Sequence, residues 1–348
     1  MHRGGADFLA NGNVARFRRA LLSWYDRNRR DLPWRRTRDP YAIWLSEIML
    51  QQTRVAAVLD HYRIFLERFP NIERLAATSE DAVLAAWSGL GYYRRARMLH
   101  RCAREIVTGH GGRFPETAAA LRELPGIGRY TAAAIASIAF GEAVAVVDGN
   151  VERVLERLGG SNLSAAENWE RAQDLLAKSR PGEFNQAMME LGATVCLPRD
   201  LRCADCPVRA LCATGARELR AKGSGLGALR GKAAPRQMKC EIWCILERRD
   251  GRVRMVKRPQ KASLMAGMWE LPQWADRPAE SAISAAISTK WRTFRHSITV
   301  TDYTVHVLRD GETKRGAPGR GKWIAIETIQ ELPITGLTRK VLKAGGII

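Results

Sequence analysis

The first 177 residues of this 348-residue chain contain no lysine. Only 11 of the 56 Lys and Arg residues are Lys, and the earliest is Lys178. A catalytic site in that region therefore has no lysine amine with which to form a Schiff base. No apolar run approaches the roughly 18–20 residues that cross a bilayer, which excludes a transmembrane helix. The N-terminal stretch MHRGGADFLANGNVARF lacks the hydrophobic region of a secretory signal, so a cytosolic protein is expected. Acidic residues are also scarce: 36 Asp and Glu leave a formal net charge of +20. An excess of this size points to a polyanionic partner, with nucleic acid ahead of an anionic membrane surface.

Seven cysteines, an odd number, argue against a disulfide framework. Cys102, Cys240 and Cys244 stand apart and read as core thiols. The other four follow the spacing Cys196-x6-Cys203-x2-Cys206-x5-Cys212, all within 17 residues. Thiolates so spaced can wrap one tetrahedral metal or one cubane cluster, and geometry alone does not separate zinc from iron–sulfur. Arg199, Arg202 and Arg209 lie in or beside this loop, which could present them to a phosphate backbone.

From about residue 13 to 195 apolar residues recur at three and four positions, as in Phe17, Leu21 and Trp24, which predicts a helical domain with short connections. The stretch from 215 to 236, rich in Gly, Arg and Lys, reads as a basic linker. After it come alternating runs at Cys240 to Leu246, Val253 to Lys257, Ser297 to Leu308 and Lys322 to Ile326, with a helical piece near Glu280 to Ser288. The expected organisation is a helical catalytic domain over 1–214, the linker over 215–236 and an α+β domain over 237–348. The segment from Gln237 onward carries 20 basic and 11 acidic residues, or +9, leaving +11 for the rest. Both parts are thus suited to face the same polyanion.

Several short stretches carry chemistry. In Leu124 to Ile135, Gly126 and Gly128 allow backbone N–H groups to converge near a helix N-terminus, a phosphate site that needs no side-chain charge. The alternative is a tight turn between packed helices. Glu47 lies in a segment so apolar that burial would raise its pKa and suit it to general-acid work, unless it occupies a wet face or pairs with an Arg. Asp148 ends the apolar run 143–147 and precedes a new helix, which fits an N-cap carboxylate as well as a catalytic one. One protonated and one ionised acid is the arrangement that breaks glycosidic bonds through an oxocarbenium-like transition state. Gln51, Gln52 and Thr53 offer uncharged hydrogen-bonding side chains at the end of the Glu47 segment. Leu90 and Tyr92 sit between and beside glycines ahead of an Arg cluster. Such residues can fill the gap left by an extruded base, although a Gly-Tyr-Tyr turn also serves ordinary loop packing.

Together, SEIMLQQT at 46–53, GLGYYRRAR at 89–97, LPGIGRYTA at 124–132, VDGNV at 147–151, FNQAMMELG at 184–192 and the four-cysteine loop resemble the MutY-type adenine DNA glycosylases of the helix-hairpin-helix superfamily. The resemblance implies a two-domain protein: an all-α helix-hairpin-helix glycosylase domain with an iron-sulfur cluster loop, followed by an α+β Nudix-like domain. It implies a 4Fe-4S cluster on Cys196, Cys203, Cys206 and Cys212, and a partner that is double-stranded DNA holding adenine opposite 8-oxoguanine or guanine. It further implies that Glu47 protonates the flipped adenine at N7, that Asp148 stabilises the oxocarbenium ion, and that Tyr130 and Asn150 hold these carboxylates and the sugar. Arg30, Trp34, Leu50 and Gln186 would form the adenine pocket. Gln51, Gln52, Thr53, Leu90 and Tyr92 would probe and wedge the duplex, with Gly126 and Gly128 on the phosphates. A monomer is expected, nucleoid-associated in a bacterial source.

The related endonuclease III branch carries a Lys after the hairpin, forms a Schiff base and cleaves the backbone. Here that position is Tyr130, so the resemblance implies a monofunctional glycosylase. In the C-terminal part Met268-Trp269-Glu270-Leu271-Pro272 matches the Nudix-like module best. The stretch after it lacks the glutamate-rich metal box of a Nudix hydrolase, which leaves recognition of 8-oxoguanine as its role. The family's Phe-Ser-His tip is altered: Phe294-Arg295-His296-Ser297 runs into Ile298-Thr299-Val300. Only Thr299 keeps a hydroxyl where the Ser usually stands, and a changed preference between 8-oxoguanine and guanine is expected. The alternatives are a glycosylase of the same scaffold acting on thymine opposite guanine, and a non-catalytic DNA-damage-binding protein.

Overall fold

Among the described residues eleven helices make up the first part of the chain, and several of their starts are written in the sequence as side-chain caps. A computed structural model describes residues 12–199, 201–215, 238–274, 290–298, 301–309 and 321–348. The helices are α1 (Asn13–Asn28), α2 (Pro40–Leu50), α3 (Val55–Arg68), α4 (Ile72–Ala77), α5 (Glu80–Ala86), α6 (Tyr93–His110), α7 (Ala118–Leu121), α8 (Arg129–Ala139), α9 (Gly149–Gly159), α10 (Ala165–Leu175) and α11 (Pro181–Thr194). Asp39 accepts from the Tyr41 and Ala42 amides and Pro40 opens α2, so this helix has a fixed start. Ser164 and Glu167 close a capping box on α10. Phe17, Leu21 and Tyr25 of α1 pack with Val151, Val154, Leu155 and Leu158 of α9 and with Phe184, Met188 and Leu191 of α11. Among the described residues no helix is long and apolar enough to cross a membrane.

The C-terminal strands are β1 (Met238–Leu246), β2 (Arg248–Arg249), β3 (Arg252–Lys257), β4 (Trp269–Glu270), β5 (Gln273–Trp274), β6 (Lys290–Ile298), β7 (Thr301–Arg309) and β8 (Lys322–Ala325), followed by helix α12 (Gly336–Ala344). One sheet has the order β5-β1-β7-β6, with β1 and β7 parallel; in the other, β3 pairs β2, β4 and β8. Leu337, Val341 and Leu342 of α12 close over Cys244, Leu246, Val305 and Val307. The run expected from Ser297 to Leu308 is two antiparallel strands, with Ile298 paired to Thr301. None of the Asn, Asp or Gly residues that mark a two-residue hairpin lies between them, which hid the reversal. Thr299 and the expected helical piece from Glu280 to Ser288 lie outside the described residues. Cys102 and Cys244 are buried as expected, whereas Cys240 is exposed.

By compactness the chain divides into two units, residues 1–62, 71–76 and 101–233, and residues 63–70, 77–100 and 234–348. The unit that holds the sheets therefore also takes in α5 and the start of α6. Ser88 and Tyr93 are buried within it.

Candidate active site

Glu47 is buried because its helix is buried on every side: each residue of α2 from Tyr41 to Met49 is removed from solvent. The carboxyl, in a residue 6% exposed, accepts a 2.7 Å hydrogen bond at Oε2 from the Tyr130 hydroxyl on α8. Burial pushes Glu47 up to about 7; the Asp148 charge adds to this, while the Tyr130 bond and the Arg35 charge oppose it. Burial and the neighbouring carboxylates drive the Tyr130 hydroxyl well above its ordinary range, so it stays neutral. A carboxyl poised near 7 can both hold a proton and give it up at neutral pH.

Asp148 sits at the N-cap of α9. Its Oδ1 accepts from the amides of Asn150 at 3.0 Å and Val151 at 2.8 Å, and its Oδ2 accepts from the Asn150 side chain at 3.0 Å. Asp148 thus caps the helix, as one sequence reading expected, and also lines the cleft. Three N–H donors at the start of the helix fix the orientation of the carboxylate. Gly192 of α11 permits this arrangement, because a Cβ there would lie 2.6 Å from the Asn150 Cβ. Arg153 secures Asn150 from below, donating to Asn150 Oδ1 and Gly192 O at 2.8 Å each and to Cys196 O at 2.9 Å.

A third carboxylate, Glu190, was missed by sequence reasoning. Arg30 donates to it through Nε at 2.8 Å, Nη2 at 2.6 Å and its backbone amide at 3.0 Å, and Arg35 Nη2 adds a bond of 2.8 Å. Burial alone would raise the Glu190 carboxyl, but the two guanidiniums outweigh it and hold it at about 2. The Arg partners lie 155 and 160 residues away, beyond the reach of local spacing. The available signal was Glu190 one turn after Gln186 on the same helix face.

These groups line one cleft of about 640 Å³, within the range of small-molecule sites. It collects Glu47, Asp148, Tyr130 and Asn150. It also collects Arg30, Trp34, Leu50 and Gln186, together with Gln51, Gln52 and Thr53. Gln186 accepts from the Tyr25 hydroxyl at 3.0 Å, and the Trp34 ring is set edge-on against Tyr62 at 5.3 Å. Gln52 has φ of 56°, a left-handed conformation that a side chain with a Cβ rarely adopts and that gathers at functional sites. Gly126, with φ of 80°, and Gly128, the N-cap of α8, form the hairpin turn and are not among the cleft residues. Leu90 is 6% exposed, whereas Tyr92 is 49% exposed.

Cys196, Cys203, Cys206 and Cys212 line a second pocket with the buried Arg157. Arg157 Nη1 donates to Cys196 Sγ at 3.3 Å and to the Leu197 carbonyl at 2.7 Å, tying the loop to α9. Among the described residues no three His, Cys, Asp or Glu side chains are arranged to hold a single metal ion.

Residues 45–178 match the HhH-GPD superfamily of base excision DNA repair proteins, and residues 242–344 match the NUDIX domain. These are the two parts of the fold expected from the sequence. The chain is 36% identical to the adenine DNA glycosylase of Homo sapiens, over 95% of this chain and 74% of that protein. It is 40% identical to the Mus musculus protein of the same name, over 77% of this chain and 62% of that one. A solved structure of a thermostable thymine-DNA glycosylase is similar with a TM-score of 0.56 at 32% identity, covering 60% of this chain and all of that one.

Proposed function

Because the chain belongs to the adenine DNA glycosylase family, we propose that it hydrolyses the N-glycosidic bond of adenine opposite 8-oxoguanine or guanine in duplex DNA. The observation that carries this reading is one cleft holding a buried carboxyl pushed to about 7 and a capped carboxylate. The target adenine leaves the stack and enters the cleft among Arg30, Trp34, Leu50 and Gln186. Glu47 gives its proton to N7, so the electron pair of the breaking C1′–N9 bond passes to a neutral leaving base. Positive charge develops on the sugar and is met by the Asp148 side chain, which its three N–H donors hold in place. Water adds at C1′ and releases a proton. Tyr130 fixes Glu47 and Asn150 fixes Asp148.

The enzyme is monofunctional, because the first 177 residues contain no lysine and Tyr130 stands where lyase relatives place one; it acts as a monomer. Outside the cleft, Tyr92, Gly126, Gly128 and Thr299 contact the DNA, and the C-terminal domain over 237–348 reads the 8-oxoguanine strand. Leu90, in the same turn as Tyr92, joins it in wedging the duplex.

The four cysteines line one pocket and would hold a 4Fe-4S cluster, as the likeness to the family implies. Burial pushes the Cys206 thiol up to about 11, so ionisation there calls for a bound cation. When bound, the cluster ties the four thiolates into one cross-link.

The likeness to a thymine-DNA glycosylase favours a second reading, removal of thymine opposite guanine. Product analysis on duplexes with A opposite 8-oxoguanine, A opposite G and T opposite G decides between them. Adenine release from the first two is expected, and activity on the last alone overturns the substrate assignment. Borohydride should trap little covalent complex, and iron rather than zinc should accompany the purified protein.

A further inference from the structure

The turn after Trp87 is strained. Gly89, Gly91 and Tyr92 have φ of 113°, 70° and 48°. A tyrosine in the left-handed region persists only where its surroundings hold it. Here both ends of the turn are pinned to one atom. Ser88 Oγ, just before it, donates to the Ile334 carbonyl at 3.1 Å, and the Tyr93 hydroxyl, just after it, donates to the same carbonyl at 3.4 Å. Arg339 on α12 donates from Nε to Ser88 Oγ at 2.9 Å.

The inside of the turn is held as well. Trp87 Nε1 donates to the Gly91 carbonyl at 3.1 Å, and Arg95 Nη2 reaches the Leu90 carbonyl at 3.3 Å. The Arg95 guanidinium lies 5.4 Å from the Tyr92 ring and 5.5 Å from the Trp87 ring. Ile334 is in turn placed by β4, since Trp269 donates to the Pro333 carbonyl at 2.8 Å and Thr335 donates to the Trp269 carbonyl at 2.9 Å. The result is a fixed backbone from which one large side chain, Tyr92, stands into solvent.

We propose that Arg339 and the Ile334 carbonyl form a latch that holds the Tyr92 turn in the shape needed to enter a duplex, so that Arg339 is a positioning residue for lesion probing. This rests on the reading of Tyr92 as a duplex-probing residue. A side chain that is already oriented loses less freedom on insertion, so the latch contributes affinity without touching DNA. Without it the turn relaxes out of the left-handed region and Tyr92 must be ordered anew at each encounter.

The test uses the full chain and a duplex carrying 8-oxoguanine opposite a non-hydrolysable 2′-fluoro-adenosine, with 2-aminopurine beside the lesion to report unstacking. Arg339→Ala should weaken binding about fivefold to tenfold, the loss expected for one typical net hydrogen bond, and should reduce the fluorescence rise. Arg339→Lys, which keeps a donor, should restore most of both. Ser88→Ala removes the same latch from its other side and should reproduce the loss even if Arg339→Ala fails to fold. In a Tyr92→Ala background the Arg339 change should have no further effect, whereas a merely structural role would add in full. Full additivity, or unchanged binding and fluorescence in both latch variants, overturns the latch while leaving Tyr92 as a probing residue. An unaffected Tyr92→Ala overturns the underlying reading and the latch with it.

Discussion

Glu47 and Glu190 line the same cleft and are almost equally hidden, at 6% and 1% exposure, yet their carboxyls are driven in opposite directions. Burial pushes Glu47 up to about 7, and its hydrogen-bond donor is a neutral hydroxyl too weak to reverse that. Burial acts in the same sense on Glu190, but two guanidiniums overcome it and hold that carboxyl at about 2. The partner, and not the depth, decides which carboxylate keeps a proton. One acid can hold a proton at neutral pH; the other anchors Arg30 and Arg35.

The two residues also act oppositely on stability. The native state holds the Glu47 proton more tightly than the unfolded chain does, so this contribution is lost as pH rises from about 4.5 to about 7. The Glu190 contribution is present above about 4.5 and is lost as pH falls toward about 2.

The largest effect expected from breaking this contrast is in Glu47→Gln. Single-turnover excision should fall by about a thousandfold or more while duplex affinity is kept. Above pH 7 the same variant should resist urea better than the parent, by up to roughly 3 kcal/mol, because an uncharged amide replaces a reluctant carboxylate. Next comes Glu190→Gln, which leaves the Arg35 guanidinium, only 10% exposed, without its anion. A loss of about 3–5 kcal/mol in urea unfolding at pH 7 is expected. Unchanged stability there would mean that the ion pairs do not anchor the cleft.

Asp148 sharpens the comparison by separating charge from cap. Asp148→Asn and Asp148→Ala should both slow excision by about two to three orders of magnitude. Only the alanine variant should also lose about 1 kcal/mol in thermal unfolding, since asparagine caps a helix as well as aspartate does. The smallest change is expected from Tyr130→Phe. Its hydroxyl lowers the Glu47 carboxyl, so removal should move the alkaline limb of the pH–rate profile upward, with the plateau rate altered by less than about tenfold.

How much of this was legible in the sequence follows from range. Glu47 announced itself because its own helix is apolar on every side, and Asp148 because an apolar run ends there and a helix begins. The cap and the buried acid are local facts. Glu190 with its two arginines is not, since those partners meet only through the fold. The β6–β7 hairpin was hidden because its reversal carries no turn residue. Helix α12 was overlooked although Thr335 caps it and Leu337, Val341 and Leu342 mark its buried face, a pattern open to the same reading as the others. The left-handed turn at Gly89, Gly91 and Tyr92, with Leu90 buried and Tyr92 exposed, is likewise not revealed by composition.

The central claim is that Glu47 delivers the proton that frees the base. Its most direct test is the single-turnover rate of adenine release opposite 8-oxoguanine, measured from pH 5 to pH 9 in the parent and in Glu47→Gln. The parent rate should fall as pH rises through about 7, and the residual rate in the variant should show no such dependence. A parent rate that is flat across this range, or a variant that keeps the parent's profile, would contradict it.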